Sequence, residues 1–95
     1  MFIVSLTYTC DLSDVDKHLN EHIAYLKNAY QSGHFLMSGR KEPRTGGIII
    51  ATVDDREALQ AILEQDPFYR EQLATYEVQA FTPTMAAKGF EALVS

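Results

Sequence analysis

Two residues suited to proton transfer stand far apart in this sequence, a histidine at position 22 and an aspartate at position 66. Imidazole titrates near neutral pH, and a carboxylate can orient it and stabilise its charged form. His22 lies at the edge of the apolar stripe of a predicted helix, close to Leu26. Asp66 is the first residue of the tripeptide Asp66-Pro67-Phe68. If the fold joins the two residues, they form a His–Asp pair that can move a proton.

Both residues also have plain structural interpretations. A helix histidine often packs against its neighbours and hydrogen-bonds a backbone carbonyl, and this is the commoner role. An aspartate before a proline favours a helix cap, although a capping carboxylate keeps one oxygen free for a partner such as His22. Phe68 and Tyr69 would then supply an apolar wall that excludes water, but ordinary core filling is the commoner use of Phe68.

Further side chains could hold a ligand beside this pair. Three of the eight basic residues, Arg40, Lys41 and Arg44, fall in one short loop of an acidic chain. Such a loop attracts an anionic substrate to a cleft, or it is only a solvated hairpin tip. Ser38 beside Gly39 can donate a hydrogen bond to a bound oxyanion, or it is only a small residue at a tight position.

Tyr8 and Tyr25 either line the same cleft or belong to the core. His18 and His22 have the i, i+4 spacing of metal ligands on a helix, but no third ligand is near them in the sequence. We therefore expect no metal site and no cofactor. The chain has no phosphate-binding loop and no GxSxG motif, which excludes nucleotide hydrolysis and serine-hydrolase chemistry by their usual routes.

Hydrophobic periodicity predicts the elements that would position these residues. Alternating patterns predict strands over residues 2–8, 35–40, 47–53 and 75–82. Helical patterns predict one helix from 12 to about 33, and a second from a cap at Asp54 to about 65. The order βαββαβ is that of the ferredoxin-like fold of the α+β class, a four-stranded antiparallel sheet with two helices on one face.

Chain length and net charge predict the number of domains and the kind of partner. A length of 95 residues predicts a single domain, 1–95. Because so short a chain buries more apolar surface in a dimer, we expect a homodimer. The net charge of -5 repels phosphate backbones and anionic membrane surfaces, so we expect neither nucleic acid nor a membrane as a partner. The lone Cys10 excludes an intramolecular disulfide, and no secretory leader is evident, so we expect a cytoplasmic protein.

The sheet face away from the helices is the expected dimer surface. Ile3, Leu36 and Ile49 are predicted to carry apolar side chains on that face, so that two sheets pack across a dimer axis. The C-terminal tail, residues 84–95, either docks on the partner subunit or is a frayed end.

Short pieces of the sequence, taken in order, resemble the YciI-like (YCII-related) family of small dimeric ferredoxin-like proteins. The pieces are His22-x-x-Tyr25-Leu26, Gly33, Ser38-Gly39, Gly46-Gly47 and Asp66-Pro67-Phe68. The resemblance implies a dimeric α/β barrel with an active-site cleft, in which His22 and Asp66 pair. Some relatives carry out dehydrochlorination or isomerisation of ring compounds. Arg40 stands where the family often has proline, which changes the shape and charge of the cleft mouth.

The leading expectation is a small cytoplasmic enzyme that performs elimination, dehydrochlorination or isomerisation on a small, anionic organic substrate. His22 would act as general base or acid, and Asp66 would orient it. The alternative is a non-enzymatic dimeric module that binds a metabolite or another protein. Replacing His22 is expected to separate the two, because a cleft residue adds little stability and a structural one adds as much as a core residue.

Overall fold

Four strands form one antiparallel sheet in the computed structural model, which describes residues 1–95. The elements in chain order are β1 (Phe2–Tyr8), α1 (Leu12–Lys17), α2 (Leu19–Gln31), β2 (Phe35–Arg40), β3 (Gly46–Ala51), α3 (Arg56–Leu63), α4 (Pro67–Arg70), β4 (Ala74–Ala80) and a short 3₁₀ helix (Glu91–Leu93). The strand order is β2-β3-β1-β4, and every neighbouring pair is antiparallel. This arrangement confirms the predicted ferredoxin-like α+β fold. None of the helices is long and apolar enough to cross a bilayer.

Strand β1 lies at the centre and explains where the core forms. Its side chains alternate, with Phe2, Val4 and Leu6 buried under the helices. Val4 is paired with Ile49 on β3, so both point to the same side of the sheet. The core therefore fills the space between the sheet and the helices, and its members are Phe2, Val4, Leu6, Val15, Ala29, Phe35, Ile49, Ala51, Leu59, Leu63, Phe68 and Leu73.

The first predicted helix is broken in two at His18. The backbone N–H of His18 bonds the carbonyl of Val15, three residues back, while its ring Nδ1 lies 3.1 Å from the carbonyl oxygen of Asp14. In a regular helix that carbonyl would accept from the backbone N–H of His18. The side chain thus occupies the backbone acceptor, and His18, with φ -109° and ψ 5°, separates α1 from α2.

The remaining boundaries differ from the predictions by a few residues. Asp55, not Asp54, caps α3, and its carboxylate accepts the backbone N–H groups of Glu57 and Ala58. Strand β3 begins one residue earlier and ends two residues earlier than predicted, and β4 begins one residue earlier and also ends two residues earlier. The Asp66-Pro67 step starts a separate short helix, α4, with proline at its first turn.

The sheet face away from the helices is apolar, as expected, but one of the residues predicted to lie on it does not. Ile49 was predicted there, but it is 2% exposed in the core, because its register with Val4 directs it towards the helices. Ile48 and Ile50 alternate with it and take that place, and Ile50 is paired with Ile3 across the strands. This outer face is partly exposed in the single chain, so its role in a dimer stays a prediction, as does docking of the tail.

Candidate active site

Asp66 sits at the junction between α3 and α4, where it caps the short helix. Its Oδ1 accepts the backbone N–H of Phe68 at 3.0 Å, and its side chain is fully buried. The local sequence explains this placement, because Pro67 ends the preceding helix and presets the first turn of the next. A carboxylate is thereby held at a fixed point inside the protein.

His22 is the fourth residue of α2 and meets this carboxylate directly. Its Nδ1 lies 2.8 Å from Oδ1 of Asp66, although 44 residues separate the two in sequence. The ring stacks on Phe68 with centroids 3.9 Å apart and planes inclined by 6°, and it lies 6.3 Å from the ring of Tyr25. The predicted His22–Asp66 pair is therefore present, and Phe68 fixes the plane of the imidazole.

The other ring nitrogen of His22 is the one available to a ligand. Because a carboxylate oxygen faces Nδ1, we assign the proton of the neutral ring to Nδ1 and the lone pair to Nε2. Nε2 makes no hydrogen bond to the protein, whereas every buried polar side-chain atom has a hydrogen-bond partner. Nε2 is therefore not a buried atom and is accessible from outside, although only 12% of the His22 side chain is exposed.

A third donor to Asp66 comes from the sheet. The hydroxyl of Tyr76, on β4, donates to Oδ2 of Asp66 at 2.6 Å. Burial, followed by the charge of Asp66, raises the pKa of Tyr76 well above its ordinary value, so its phenol stays protonated. Three donors converge on Asp66, which matches an ionised carboxylate because that group only accepts.

Tyr25 lies behind the pair rather than in an open cleft. Its hydroxyl donates to the carbonyl of Ile62 at 2.8 Å. Burial and the charge of Asp66 raise the pKa of Tyr25. The residue supports the ring of His22 and joins α2 to α3.

An open cavity of about 500 Å³ adjoins His22. We call it the main cavity, and it is lined by Leu6, Tyr8, Asp16, Leu19, His22, Ile23, Leu26, Ser38, Gly39, Arg40, Arg44, Gly46, Gly47, Ile48, Ile49 and Phe68. Six of the eight candidate site residues are in this set, and Tyr25 and Asp66 are outside it. The lining joins an apolar wall and one imidazole to two guanidinium groups and one carboxylate, that of Asp16.

Arginine side chains bring positive charge to the main cavity from the β2–β3 loop. Arg44 bonds Asp16 with 2.6 Å between Nη2 and Oδ1, and this bond raises the pKa of the guanidinium. Arg40 lies 3.5 Å from Glu42 and is mostly exposed, so it can turn towards a ligand. Arg44 is absent from the predicted binding set, and the only sequence signal for it is the clustering of basic residues in this loop.

Ser38 and the glycines shape the strand side of the main cavity. The Ser38 hydroxyl contacts the hydroxyl of Tyr30 on α2, so it is held beside the cavity with a polar partner. Gly46 is required by a close approach, since a Cβ there would lie 1.8 Å from the backbone oxygen of Leu6. A Cβ on Gly39 would meet no atom within 4 Å, so this position stays open.

Three residues that the sequence pattern singles out lie away from the main cavity. Tyr69, expected in its wall, lines a second cavity instead, and its hydroxyl accepts from Gln60 at 3.0 Å. Lys41 donates to the hydroxyl of Thr7 at 3.1 Å. The thiol of Cys10 lies 3.5 Å from the carbonyl oxygen of Leu73, and burial raises its pKa, which opposes thiolate chemistry.

The fold and the site define a class, a ferredoxin-like domain in which a buried carboxylate orients a histidine at the edge of an open cavity. Residues 1–82 match the family model of the YCII-related domain. The chain therefore belongs to this family, as the sequence motifs predicted. No curated protein matches the chain by sequence.

A solved structure shares the fold over most of its length. It is 5-chloro-2-hydroxyhydroquinone dehydrochlorinase (TftG) from Burkholderia phenoliruptrix AC1100, in complex with 2,5-dihydroxybenzoquinone. The match has a TM-score of 0.73 and 17% sequence identity, and it covers 87% of this chain and 95% of that chain. At this identity the likeness supports the fold assignment and leaves the activity to be argued from the site.

Proposed function

We propose that this protein is a cofactor-independent enzyme that abstracts a proton from a small, acidic ring compound and promotes its elimination or isomerisation. The observation that carries the proposal is the geometry of His22. Its Nδ1 is bound to a buried carboxylate, while Nε2 is accessible and the ring lines the main cavity. A general base needs this combination of a fixed tautomer and an open lone pair.

The proposed step balances without an oxidant or a reductant. Nε2 of His22 accepts a proton from an acidic C–H or O–H of the substrate, and the freed electron pair forms a new double bond. In an elimination the leaving group departs with its own pair, as chloride would, and in an isomerisation the proton returns at another carbon. Asp66 stabilises the imidazolium formed during the step.

The substrate class follows from the walls of the main cavity. Apolar side chains and Phe68 suit the faces of one ring, and a volume of about 500 Å³ suffices for a single-ring compound. Arg40 and Arg44 suit a carboxylate or an ionised hydroxyl group, while Ser38 offers a hydroxyl donor. A ring quinone bound in the structurally similar dehydrochlorinase is consistent with a hydroxylated ring as the ligand here.

Exchange of substrate hydrogen for solvent deuterium, measured together with chloride release, tests this proposal whichever product forms. The protein is incubated in D₂O with a panel of hydroxylated rings, including 5-chloro-2-hydroxyhydroquinone, and NMR follows deuterium incorporation while chloride release is measured. We expect exchange or elimination with at least one compound, and a rate about 10²–10⁴-fold lower for His22→Gln, because the general base is lost.

His34→Gln is the matched control. It replaces a histidine that lies between α2 and β2 and does not line the main cavity. This variant is expected to keep the wild-type rate. Equal rates for wild type and His22→Gln would overturn the proposal, and tight binding of a panel compound with no exchange would favour the non-enzymatic module.

We further propose that the protein works in the cytoplasm as a single-domain homodimer. The lone, partly buried Cys10 is compatible with a reducing compartment. The outer face of the sheet presents Ile3, Ile48 and Ile50, which supports a sheet-to-sheet dimer. In that dimer, residues 84–95 would extend over the partner, and their apolar side chains Met85 and Phe90 are exposed in the single chain.

A further inference from the structure

The two oxygens of Asp66 have separate partners, and one partner has no part in the function proposed above. Oδ1 accepts from His22 and from the backbone of Phe68, at 2.8 and 3.0 Å. Oδ2 accepts from the hydroxyl of Tyr76 at 2.6 Å. The Asp66 side chain is fully buried, so water has no access to replace that donor.

The hydroxyl of Tyr76 is held by a strand that pairs with the centre of the sheet. Tyr76 stands opposite Leu6 in the ladder between the central strand β1 and β4. Its ring packs against Tyr69 with centroids 5.2 Å apart. It does not line the main cavity, so it can act on a ligand there only through Asp66. The sheet therefore fixes one carboxylate oxygen, and the first turn of α4 fixes the other.

We propose that Tyr76 is a positioning residue of the active site, whose hydroxyl holds Oδ2 of Asp66 so that Oδ1 stays aligned with Nδ1 of His22. The catalytic part of this inference rests on the proposed function, whereas the contact between Tyr76 and Asp66 rests on the hydrogen-bond geometry alone. Without the hydroxyl, the carboxyl group keeps only its contacts at Oδ1, and Oδ2 has no donor. The group can then tilt, which weakens the alignment of Oδ1 with Nδ1 of His22.

The charged and titratable groups around His22 come from every element packed against it. They are Tyr25 on α2, Asp66 before α4, Tyr76 on β4, Tyr8 on β1, Asp16 on α1, and Arg40 and Arg44 from β2 and the loop that follows it. Among these groups, Tyr76 is the only one that shares a hydrogen bond with Oδ2 of Asp66. A change confined to its hydroxyl therefore reports on that contact.

The test compares Tyr76→Phe with Tyr69→Phe, which removes a hydroxyl from the adjacent ring but leaves Asp66 untouched. ¹⁵N NMR of the histidine rings in the full-length protein, at a pH where His22 is neutral and with no substrate present, reports which ring nitrogen carries hydrogen. In Tyr76→Phe the preference for hydrogen on Nδ1 of His22 is expected to weaken, because a tilted Oδ1 is a poorer acceptor for it. Tyr69→Phe is expected to keep the wild-type preference.

Solvent exchange with an active panel compound provides the kinetic half of the test. Tyr76→Phe is expected to lower kcat on the order of tenfold with KM unchanged, since a misaligned base affects the transition state more than binding. An unchanged tautomer preference in Tyr76→Phe would overturn the assignment. A weakened preference in a protein without turnover on any compound would support the positioning role while contradicting the proposed function.

A second measurement keeps the test valid if Tyr76→Phe does not fold. In wild-type protein in H₂O, NMR follows the hydroxyl proton of Tyr76, which is expected to exchange slowly with water because it is donated to the buried Oδ2 of Asp66. A hydroxyl proton that exchanges as fast as that of an exposed tyrosine would contradict the proposal.

Discussion

At the residue scale, His22 serves stability and chemistry together, so the simple stability test expected from the sequence does not separate the two functions. The ring stacks on Phe68 and hydrogen-bonds a carboxylate that is fully buried. Its removal leaves a buried charge with fewer partners, which is costly whether or not the site is catalytic. Activity and tautomer measurements therefore carry the decision.

We predict that His22→Ala lowers the free energy of unfolding by about 3 kcal/mol, because the buried carboxylate of Asp66 loses a hydrogen-bond donor and a stacked ring is lost. His22→Gln is expected to lose less than half of that, since its amide can still donate to Asp66. Urea unfolding of the three proteins gives the values. Equal stability of His22→Ala and wild type would contradict the observed contact.

The tyrosine beside Asp66 predicts a loss of stability in alkali. The folded state raises the pKa of Tyr76, so it keeps a proton that the unfolded chain releases above pH of about 10. The unfolded chain then binds fewer protons, and the free energy of unfolding falls with pH by up to about 1.4 kcal/mol per pH unit for this group. Tyr76→Phe is expected to show a shallower fall in urea unfolding across this range. Identical slopes would argue against a buried, hydrogen-bonded phenol.

Chemical type marked His22 and Asp66 as possible partners but left a structural role open for each, and their pairing was predicted from the resemblance of the surrounding motifs to the YCII-related family. Tyr76 was not predicted as a contact, because its alternation in a strand looks the same as that of an ordinary core residue. Only the register of β4 against β1 brings its hydroxyl to Asp66. Arg44 was predicted only as one member of the basic loop, because loop conformation leaves no periodic signal for which of its side chains lines the cavity.

At the element scale, the strands and helices followed from periodicity, while the break in the first helix did not. The apolar pattern continues across His18, so it predicts one helix from 12 to 33. The break depends on a side-chain contact with the Asp14 carbonyl, and hydrophobic spacing carries no information about such a contact. The consequence for the site is small, since His22 lies within the unbroken α2.

Because β3 lies close to β1, we predict that alanine substitutions at two glycines near the main cavity change stability by very different amounts. Gly46→Ala is expected to lower the free energy of unfolding by about 3 kcal/mol or more, because its Cβ would overlap the backbone oxygen of Leu6. Gly39→Ala is the matched control, with open space around its Cβ, and should change stability by about 0.5 kcal/mol or less. Denaturant unfolding measures both. A tolerated Gly46→Ala would contradict this strand spacing.

At the scale of the whole molecule, the apolar outer face of the sheet predicts a dimer. Sedimentation is expected to give twice the 10.7 kDa mass of the chain. Ile50→Glu, in the middle of that face, is expected to give a monomer, because a charge would be buried without a partner. Ala61→Glu, on the exposed side of α3, is the control and should leave the dimer intact. A monomeric wild type would contradict the assembly.

The tautomer of His22 is the most direct test of the central claim, that a buried carboxylate holds this imidazole with Nε2 free to accept a proton. ¹⁵N NMR of the histidine rings, at a pH where His22 is neutral, distinguishes the nitrogen that carries hydrogen from the one that does not. We predict hydrogen on Nδ1 in the wild type, and loss of that preference in Asp66→Asn. Hydrogen on Nε2 in the wild type would contradict the claim, because no lone pair would then face the cavity.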